Sequence, residues 1–162
     1  MRRSIRAGLA ALTLTALFAS PALAAKPVVQ ALEVSGTFTI ACRSVTLVEA
    51  YTRSVQVTRW LDGDGHVTRG HARVRFDGTI TAPGSTLQVS DVGRFTSFIA
   101  FGPEGPTVRE VGMLYEFSAP GLGLVAHDVG VLRFLPDGSV EVKGPHDVWD
   151  TGVESLICPL FE

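Results

Sequence analysis

The chain has 162 residues, with 14 Lys and Arg against 16 Asp and Glu, which gives a formal net charge of −2. Cleavage of the secretion signal described below would remove three of the basic residues and none of the acidic ones, leaving a net charge of −5. An acidic chain argues against nucleic-acid binding, which uses a basic surface. The length suits one domain with its own hydrophobic core.

Residues 1–24 have the pattern of a signal peptide. A basic start ends at Arg6, the apolar run Ala7–Ser20 follows, and Ala22-Leu23-Ala24 is a small-x-small cleavage site. A membrane anchor needs roughly 20 apolar residues, more than this run contains. We therefore expect secretion, a mature chain that begins at Ala25, and no membrane span after cleavage. The protein would be extracellular or would lie in the cell envelope.

The chain has two cysteines, Cys42 and Cys158. Two cysteines in an exported protein usually form one disulfide, because the compartment is oxidising. The alternative is a reactive thiol or redox pair, which is typically closely spaced. Phe38, Ile40 and Cys42 alternate with small or polar residues as in a strand, and Leu156 shares a face with Cys158 in the same way. The pattern predicts a bridge that holds the first and last strands side by side.

In chain order, we expect a lead-in over residues 25–36 and an all-β domain over residues 37–162. Val45–Val57 alternates imperfectly and fits one or two strands, with a short helix at Ser44–Tyr51 as the alternative. The clearest early turn is Asp62-Gly63-Asp64-Gly65, because Gly accepts a positive φ and Asp hydrogen-bonds to its own backbone.

The next strand has an apolar face over Ala72–Ala82 and a polar face that predicts an anion-binding strip. The strip consists of Arg69, His71, Arg73 and Arg75. Such a strip would suit an anionic ligand, for example a phosphate-bearing envelope polymer. The alternative is a solvated outer face that pairs with acids on a neighbouring strand, such as Glu110 and Glu116. Gly78 is expected to form a bulge or kink.

Further strands are predicted between turns rich in Gly and Pro. They are Leu87–Val89, Phe95–Phe101, Val111–Phe117, Leu124–Leu135, Ser139–Lys143 and Leu156–Cys158. Pro136-Asp137-Gly138 marks a hairpin, and Val111, Met113, Tyr115 and Phe117 are expected to share one face. About eight to ten short strands without an amphipathic helix predict a single-domain, all-β antiparallel meander. It would close into a lipocalin-like barrel or a β-sandwich.

No motif for a catalytic residue, a cofactor or a metal is found, and none of the three is predicted. A calcium loop at the Asp-Gly-Asp-Gly turn would need Glu at its twelfth position, where Arg73 stands. The Gly-x-Ser-x-Gly turn of many serine hydrolases is absent. His127-Asp128 and His146-Asp147 are two His-Asp pairs that folding could bring together.

From Cys42 to Cys158 the chain resembles the secreted, uncharacterised all-β proteins that are common in actinobacteria. The likeness rests on the two cysteines, the Thr-Ile-Thr-Ala-Pro-Gly-Ser segment at 79–85, the hairpin at 136–138 and Gly144-Pro145-His146. The resemblance implies an exported all-β domain, and it implies no activity for any residue.

The expected function is that of an exported, non-catalytic β-module that binds a ligand or a partner outside the cell. A barrel interior would suit a small apolar ligand. The alternatives are a secreted hydrolase with a triad or carboxylate pair assembled from loops, and a structural envelope protein. A concave pocket with mutually hydrogen-bonded His and acidic groups would favour the hydrolase, and a filled interior the binder. Trp60 and Trp149 are expected to be core or barrel-end residues, with sugar-stacking platforms as the alternative.

Overall fold

The computed structural model describes residues 27–162, so the predicted signal peptide lies outside the described residues. Seven strands are followed by three short helical segments. The strands are β1 (Val28–Ala41), β2 (Thr46–Leu61), β3 (Val67–Thr81), β4 (Gln88–Gly102), β5 (Gly105–Ala119), β6 (Gly123–Phe134) and β7 (Val140–Lys143). The helical segments are α1 (Asp147–Thr151), α2 (Val153–Ile157) and a 3-10 helix (Cys158–Leu160).

All seven strands form one antiparallel sheet in the order β1 to β7, which confirms the predicted all-β meander. The expected closure is wrong. Among the described strands, β1 and β7 are the two edges of the sheet and do not pair with each other. The structure is therefore one open sheet, neither a closed barrel nor a sandwich of two sheets.

The strands are fewer and longer than the sequence suggested. β1 begins at Val28, so most of the expected lead-in belongs to the first strand. β2 is one continuous strand, which excludes the alternative helix at Ser44–Tyr51. β4 joins two predicted strands into one of 15 residues. The turns after β2 and between β6 and β7 lie where they were predicted, at Asp62–Gly65 and Pro136–Gly138.

A bulge in the middle of the sheet changes which residues of β5 face the same way. The pairing with β4 and with β6 skips Leu114, which is buried. A side chain at Gly93 would meet the Leu114 carbonyl oxygen at 2.6 Å, so Gly93 allows the extra residue to sit there. Met113 pairs with Arg94 on the outer face, whereas Tyr115 and Phe117 line the opposite, concave face. The prediction that these β5 residues share a face with Met113 is therefore wrong.

The end of the chain is helical, so the predicted closing strand at Leu156–Cys158 is wrong. Apolar residues recur in this segment every three or four positions, and all of them pack against the core; they are Val153, Leu156, Ile157 and Leu160. This spacing of three and four residues is typical of one helix face. The Cys42–Cys158 disulfide is present, with 5.5 Å between the two Cα atoms. It joins the end of β1 to the helices and not to another strand.

The hydrophobic core lies at one end of the concave face, where the helices cover the sheet. Its fully buried members come from four strands and α2; they are Leu47, Ile80, Val89, Phe117 and Ile157. Val148 of α1 and Cys158 complete it from the covering side. None of the described helices is long and apolar enough to cross a membrane.

We expect the double substitution Cys42→Ser and Cys158→Ser to lower the free energy of unfolding by up to about 4–5 kcal/mol. The disulfide closes a loop of 116 residues, and chain entropy assigns it that magnitude. Urea titration followed by circular dichroism measures the change, with the reduced wild-type protein as the matched control. A loss below about 1 kcal/mol would show that the helices stay on the sheet without the covalent bond.

Candidate functional site

The concave face of the sheet encloses a cavity of about 750 Å³ beside the core. Residues from β1 to β6 and from both α-helices line this one space, so the open sheet is strongly curved. Three aromatic pairs make up much of its wall. They are Tyr51 with Phe76 at 5.5 Å, Tyr115 with Phe117 at 6.2 Å, and Phe134 with Trp149 at 5.8 Å between ring centroids.

Two buried carboxyl groups meet in the wall of this cavity. Glu49 of β2 is 7% exposed and Asp91 of β4 is 2% exposed. Between them on β3 lies Gly78, in unbroken register with Tyr51 and Asp91. A side chain at Gly78 would collide with Glu49 Oε1. The glycine therefore leaves the space through which Glu49 reaches Asp91, and the bulge predicted at this position is wrong.

The pKa values of both carboxyl groups are raised. Burial, followed by the charge of Glu49 and a hydrogen bond to it, raises the pKa of Asp91 to about 8. Burial also raises the pKa of Glu49, while the hydrogen bond from Asp91 opposes that rise. At neutral pH the Asp91 carboxyl is accordingly protonated and donates to the Glu49 carboxylate.

Further titratable groups give the cavity an acidic character. Burial raises the pKa of Glu110, and the charge of Arg53 opposes the shift. Burial also raises the pKa of Tyr115, and the charges of Asp91 and Glu110 raise it further. Arg53 on β2 and Glu110 on β5 influence each other although two strands separate them, which follows from the curvature of the sheet.

The two His-Asp pairs meet as the sequence suggested, but they fasten α1 to β6. Asp128 is buried, and its two carboxylate oxygens accept hydrogen bonds from the backbone N–H groups of Val148 (2.7 Å) and Trp149 (3.2 Å). The backbone N–H of His127 donates to Asp147 Oδ2 at 3.1 Å. Since Asp128 is occupied by the helix backbone, this arrangement is a structural anchor.

His146 completes the anchor without becoming part of the cavity wall. Its ring lies fully buried, with Nδ1 3.8 Å from Asp128 Oδ2 and Nε2 3.2 Å from the Lys143 carbonyl oxygen. His146 is not one of the described residues that line the cavity. The cavity is open rather than filled. The two acids that meet in its wall, Glu49 and Asp91, contact each other and not a histidine.

The predicted cationic strip lies on the outer face of β3, and the structure divides it in two. Arg69 and His71 line a groove of about 810 Å³ together with Trp60, Phe98 and Arg109. The Arg69 guanidinium lies 4.7 Å from the Trp60 ring centroid, and that of Arg109 lies 4.9 Å from the Phe98 centroid. Such stacking holds a guanidinium in place over a ring while its edge stays free for an anion.

Arg73 and Arg75 lie in a separate depression of about 460 Å³, beside Glu33 of β1. The proposed pairing of the strip with Glu110 and Glu116 is wrong, because the neighbours of β3 are β2 and β4. Glu110 lines the concave cavity instead.

Both tryptophans lie at cavities and neither is a core residue. Trp149 is 46% exposed at the concave cavity, and Trp60 is half-buried in the outer groove. The predicted role as core or barrel-end residues is therefore wrong: the Trp149 ring borders the concave cavity, and the Trp60 ring lies beneath the Arg69 guanidinium.

The Asp62–Gly65 turn brings Asp62, Asp64 and His66 together on the surface. Asp62 Oδ1 accepts hydrogen bonds from the backbone N–H groups of Asp64 (3.0 Å) and His66 (2.8 Å). These bonds lower the pKa of Asp62. The cluster is a side-chain-stabilised turn, as the sequence predicted.

Comparison with models of known protein families, with curated proteins and with solved structures finds no match.

We expect Asp91→Asn to stabilise the protein relative to wild type as the pH rises. The folded state keeps the Asp91 proton up to a pKa of about 8, whereas the unfolded state loses it near 3.8. Wild-type stability from this group is therefore complete below about pH 4 and is lost as the pH rises to about 8. The variant has no such proton to retain.

Between pH 4 and pH 8.5 the stability of the variant relative to wild type should increase by at least about 1.4 kcal/mol, the equivalent of one pKa unit. Urea titrations from pH 4 to 9 measure the difference, with Asp150→Asn on the exposed side of α1 as the matched control. A difference that stays constant over this range would show that Asp91 does not hold its proton in the folded state.

We also expect Arg73→Gln with Arg75→Gln to weaken retention on phosphocellulose, because the substitutions remove two exposed cations. Arg94→Gln is the control, since its guanidinium already bonds the Phe76 carbonyl oxygen and Asp77 on the same face. The double variant should elute at a lower salt concentration than wild type, and the control should elute near the wild-type position. Equal elution of all three proteins would remove this half of the strip as an anion site.

Proposed function

We propose that the protein is an exported binding module that holds a small, mainly aromatic or apolar molecule against the concave face of its sheet. The observation that carries this proposal is the single cavity lined by six strands, two helices and three aromatic pairs. Its volume of about 750 Å³ lies in the range of small-molecule sites, roughly 300–1,000 Å³.

The wall combines a rigid part with an accessible part. Phe117 is buried in the core, and Tyr115 stacks on it with its ring partly exposed to the cavity. On the other side, Trp149 is partly exposed and packs edge-on against Phe134. Aromatic rings provide a large contact area and lose little side-chain freedom when a ligand binds, which supports a binding role.

Export is supported by the disulfide, because such bonds persist in oxidising compartments. It agrees with the signal-peptide pattern of residues 1–24 and with the resemblance to secreted all-β proteins. The helices that the disulfide fastens also form one wall of the cavity. In this proposal the disulfide serves binding as well as stability.

A secreted hydrolase is the second candidate, and the acid pair is the observation that favours it. Two carboxyl groups that share a proton are a known acid–base arrangement. However, Glu49 and Asp91 are more than nine-tenths buried, and no histidine, serine, cysteine or lysine among the described residues lines the cavity with them. A catalytic triad cannot be assembled from such a wall, and its aromatic rings favour binding.

The two tryptophans provide a matched test of the binding site. N-phenyl-1-naphthylamine, a neutral dye that fluoresces in apolar surroundings, should bind saturably with one site per chain. We expect Trp149→Ala to raise its Kd roughly two- to tenfold, which corresponds to the loss of one aromatic contact of about 0.5–1.5 kcal/mol. Trp60→Ala should leave the Kd within about twofold, because Trp60 lies in the outer groove.

Fluorescence titration of the three proteins measures these constants, and their melting temperatures establish that the variants are folded. No saturable binding to wild type would reject the concave cavity as a site for apolar molecules. Equal effects of the two substitutions would place the dye elsewhere on the protein.

A further inference from the structure

We propose that the concave cavity is selective for molecules that carry an ammonium group, and that Glu49 and Asp91 are the residues that receive it. This inference rests on the proposed function and adds the chemical class of the ligand. It is drawn from the hydrogen-bonding state of the pair, from the charge of the cavity wall and from the room left by Gly78.

The first argument is that the acid pair has no donor apart from the proton that its two carboxyl groups share. Glu49 and Asp91 line the cavity at 7% and 2% exposure, and apart from the proton between them no group among the described residues donates to Glu49 Oε1 or Asp91 Oδ1. Buried polar atoms almost always have a partner, and an unmade bond costs about 1–3 kcal/mol. Two carboxyl groups in a cavity wall with only one proton between them are the complement of a ligand that brings donors, and an ammonium group brings three.

The second argument is the charge that surrounds the pair. Four carboxyl groups line the cavity, those of Glu49, Asp91, Glu110 and Asp128, against one cation, Arg53. Glu110 lies within the electrostatic reach of Arg53, and Asp128 is held by the backbone of α1. Among the described lining residues, the acid pair is thus the carboxyl site for which neither the charge of Arg53 nor the backbone of α1 supplies a partner.

The groups that face the pair come from three strands. β2 contributes Arg53 and Tyr51, β5 contributes Glu110 and Tyr115, and β6 contributes Asp128. The lining residues of β1, of β3 and of the helical segment 148–153 carry no charge: Thr37, Phe38, Val74, Phe76, Val148, Trp149, Gly152 and Val153. The faces of the aromatic rings carry partial negative charge, which adds attraction for a cation. An anionic ligand would be repelled by the same wall.

The third argument is the shape at Gly78. The Glu49 carboxyl passes over this glycine, where any side chain would collide with it. Glu49 and Asp91 come from strands that are not neighbours, so only a glycine on the strand between them lets the two groups meet. A longer side chain at position 78 would separate them and would divide the receiving site.

Binding would replace the proton of the acid pair with the ammonium group of the ligand. In the free protein one proton lies between the two carboxyl groups. The entering ammonium group donates hydrogen bonds to both carboxylates, and the Asp91 proton leaves to solvent. The ligand keeps its own protons, no covalent bond changes in either molecule, and one positive charge enters as one leaves. Binding should therefore release up to one proton per ligand below about pH 8.

Three probes that share an indole ring and a two-carbon arm isolate the contribution of the head group. Tryptamine carries an ammonium group, tryptophol a hydroxyl group and indole-3-propionate a carboxylate. Isothermal titration calorimetry at pH 7 should show tryptamine binding at least about tenfold tighter than tryptophol, and indole-3-propionate weakest. Titrations in buffers of different ionisation enthalpy should show proton release with tryptamine alone. This second measurement uses the unmodified protein.

Glu49→Gln and Asp91→Asn keep the shape of the pair while they remove one carboxylate each. Either variant should reduce the preference for tryptamine over tryptophol to within about threefold and should release no proton. Glu33→Gln, on exposed β1, is the matched control and should keep the wild-type preference. Gly78→Ala should reduce the preference as well, because it displaces Glu49 from Asp91.

The outcomes separate this inference from the proposed function. Equal affinities for tryptamine and tryptophol in wild type, or binding of tryptamine without proton release, would reject the ammonium site while the cavity remains a binding site. Failure of all three probes in a protein that still binds N-phenyl-1-naphthylamine would reject the ammonium site alone. Failure of the dye as well would reject both.

Discussion

One disulfide determines which end of the concave face is covered by helices and which part remains open as a cavity. Cys42 and Cys158 fasten the C-terminal helices to the end of the first strand, and the core forms beneath them. The sheet does not close on itself, since β1 and β7 remain edges. The helices therefore perform at one end the covering role that strand pairing performs in a barrel. The remainder of the concave face stays available as a cavity wall.

The acid pair is the point at which the fold departs most from what stability alone would favour. Burial of two carboxyl groups is unfavourable unless they are paired or neutral, and here a shared proton resolves the conflict. Aliphatic side chains of similar volume would avoid it altogether. Gly78, which has no side chain, leaves the space that the pair needs. Three neighbouring strands, β2, β3 and β4, therefore contribute to the acid pair. Such a local departure from good core chemistry is the usual mark of a functional site.

The predictions for the C-terminal segment and for β4 failed for identifiable physical reasons. The helix at the end of the chain had a readable signal in the spacing of Val153, Leu156, Ile157 and Leu160, but the strand pattern of Leu156 and Cys158 matched the same residues. The strand β4 was divided in two because Asp91 and Gly93 interrupt its apolar alternation. Asp91 belongs to the acid pair and Gly93 accommodates the bulge, so the interruption reflects these two features and not a turn.

The bulge at Leu114 had no comparable signal. Alternation along β5 continues through Val111, Met113, Tyr115 and Phe117 as if all four residues shared a face. The extra residue is accommodated by Gly93 on the adjacent strand, and so only the pairing of the two strands reveals it. A shift of one residue reverses the facing of every residue beyond it. The prediction for Met113 failed for this reason alone.

What the sequence by itself determined is local or covalent. The all-β class, the main turns and the outward row of cations on β3 follow from residue periodicity and turn chemistry, and the disulfide follows from the presence of only two cysteines. The curvature of the sheet, the position of the helices, and the meeting of Glu49 with Asp91 were decided by the tertiary structure. Each of these depends on residues far apart in the chain. A sequence pattern records only near neighbours, whereas a cavity is made by side chains that folding brings together.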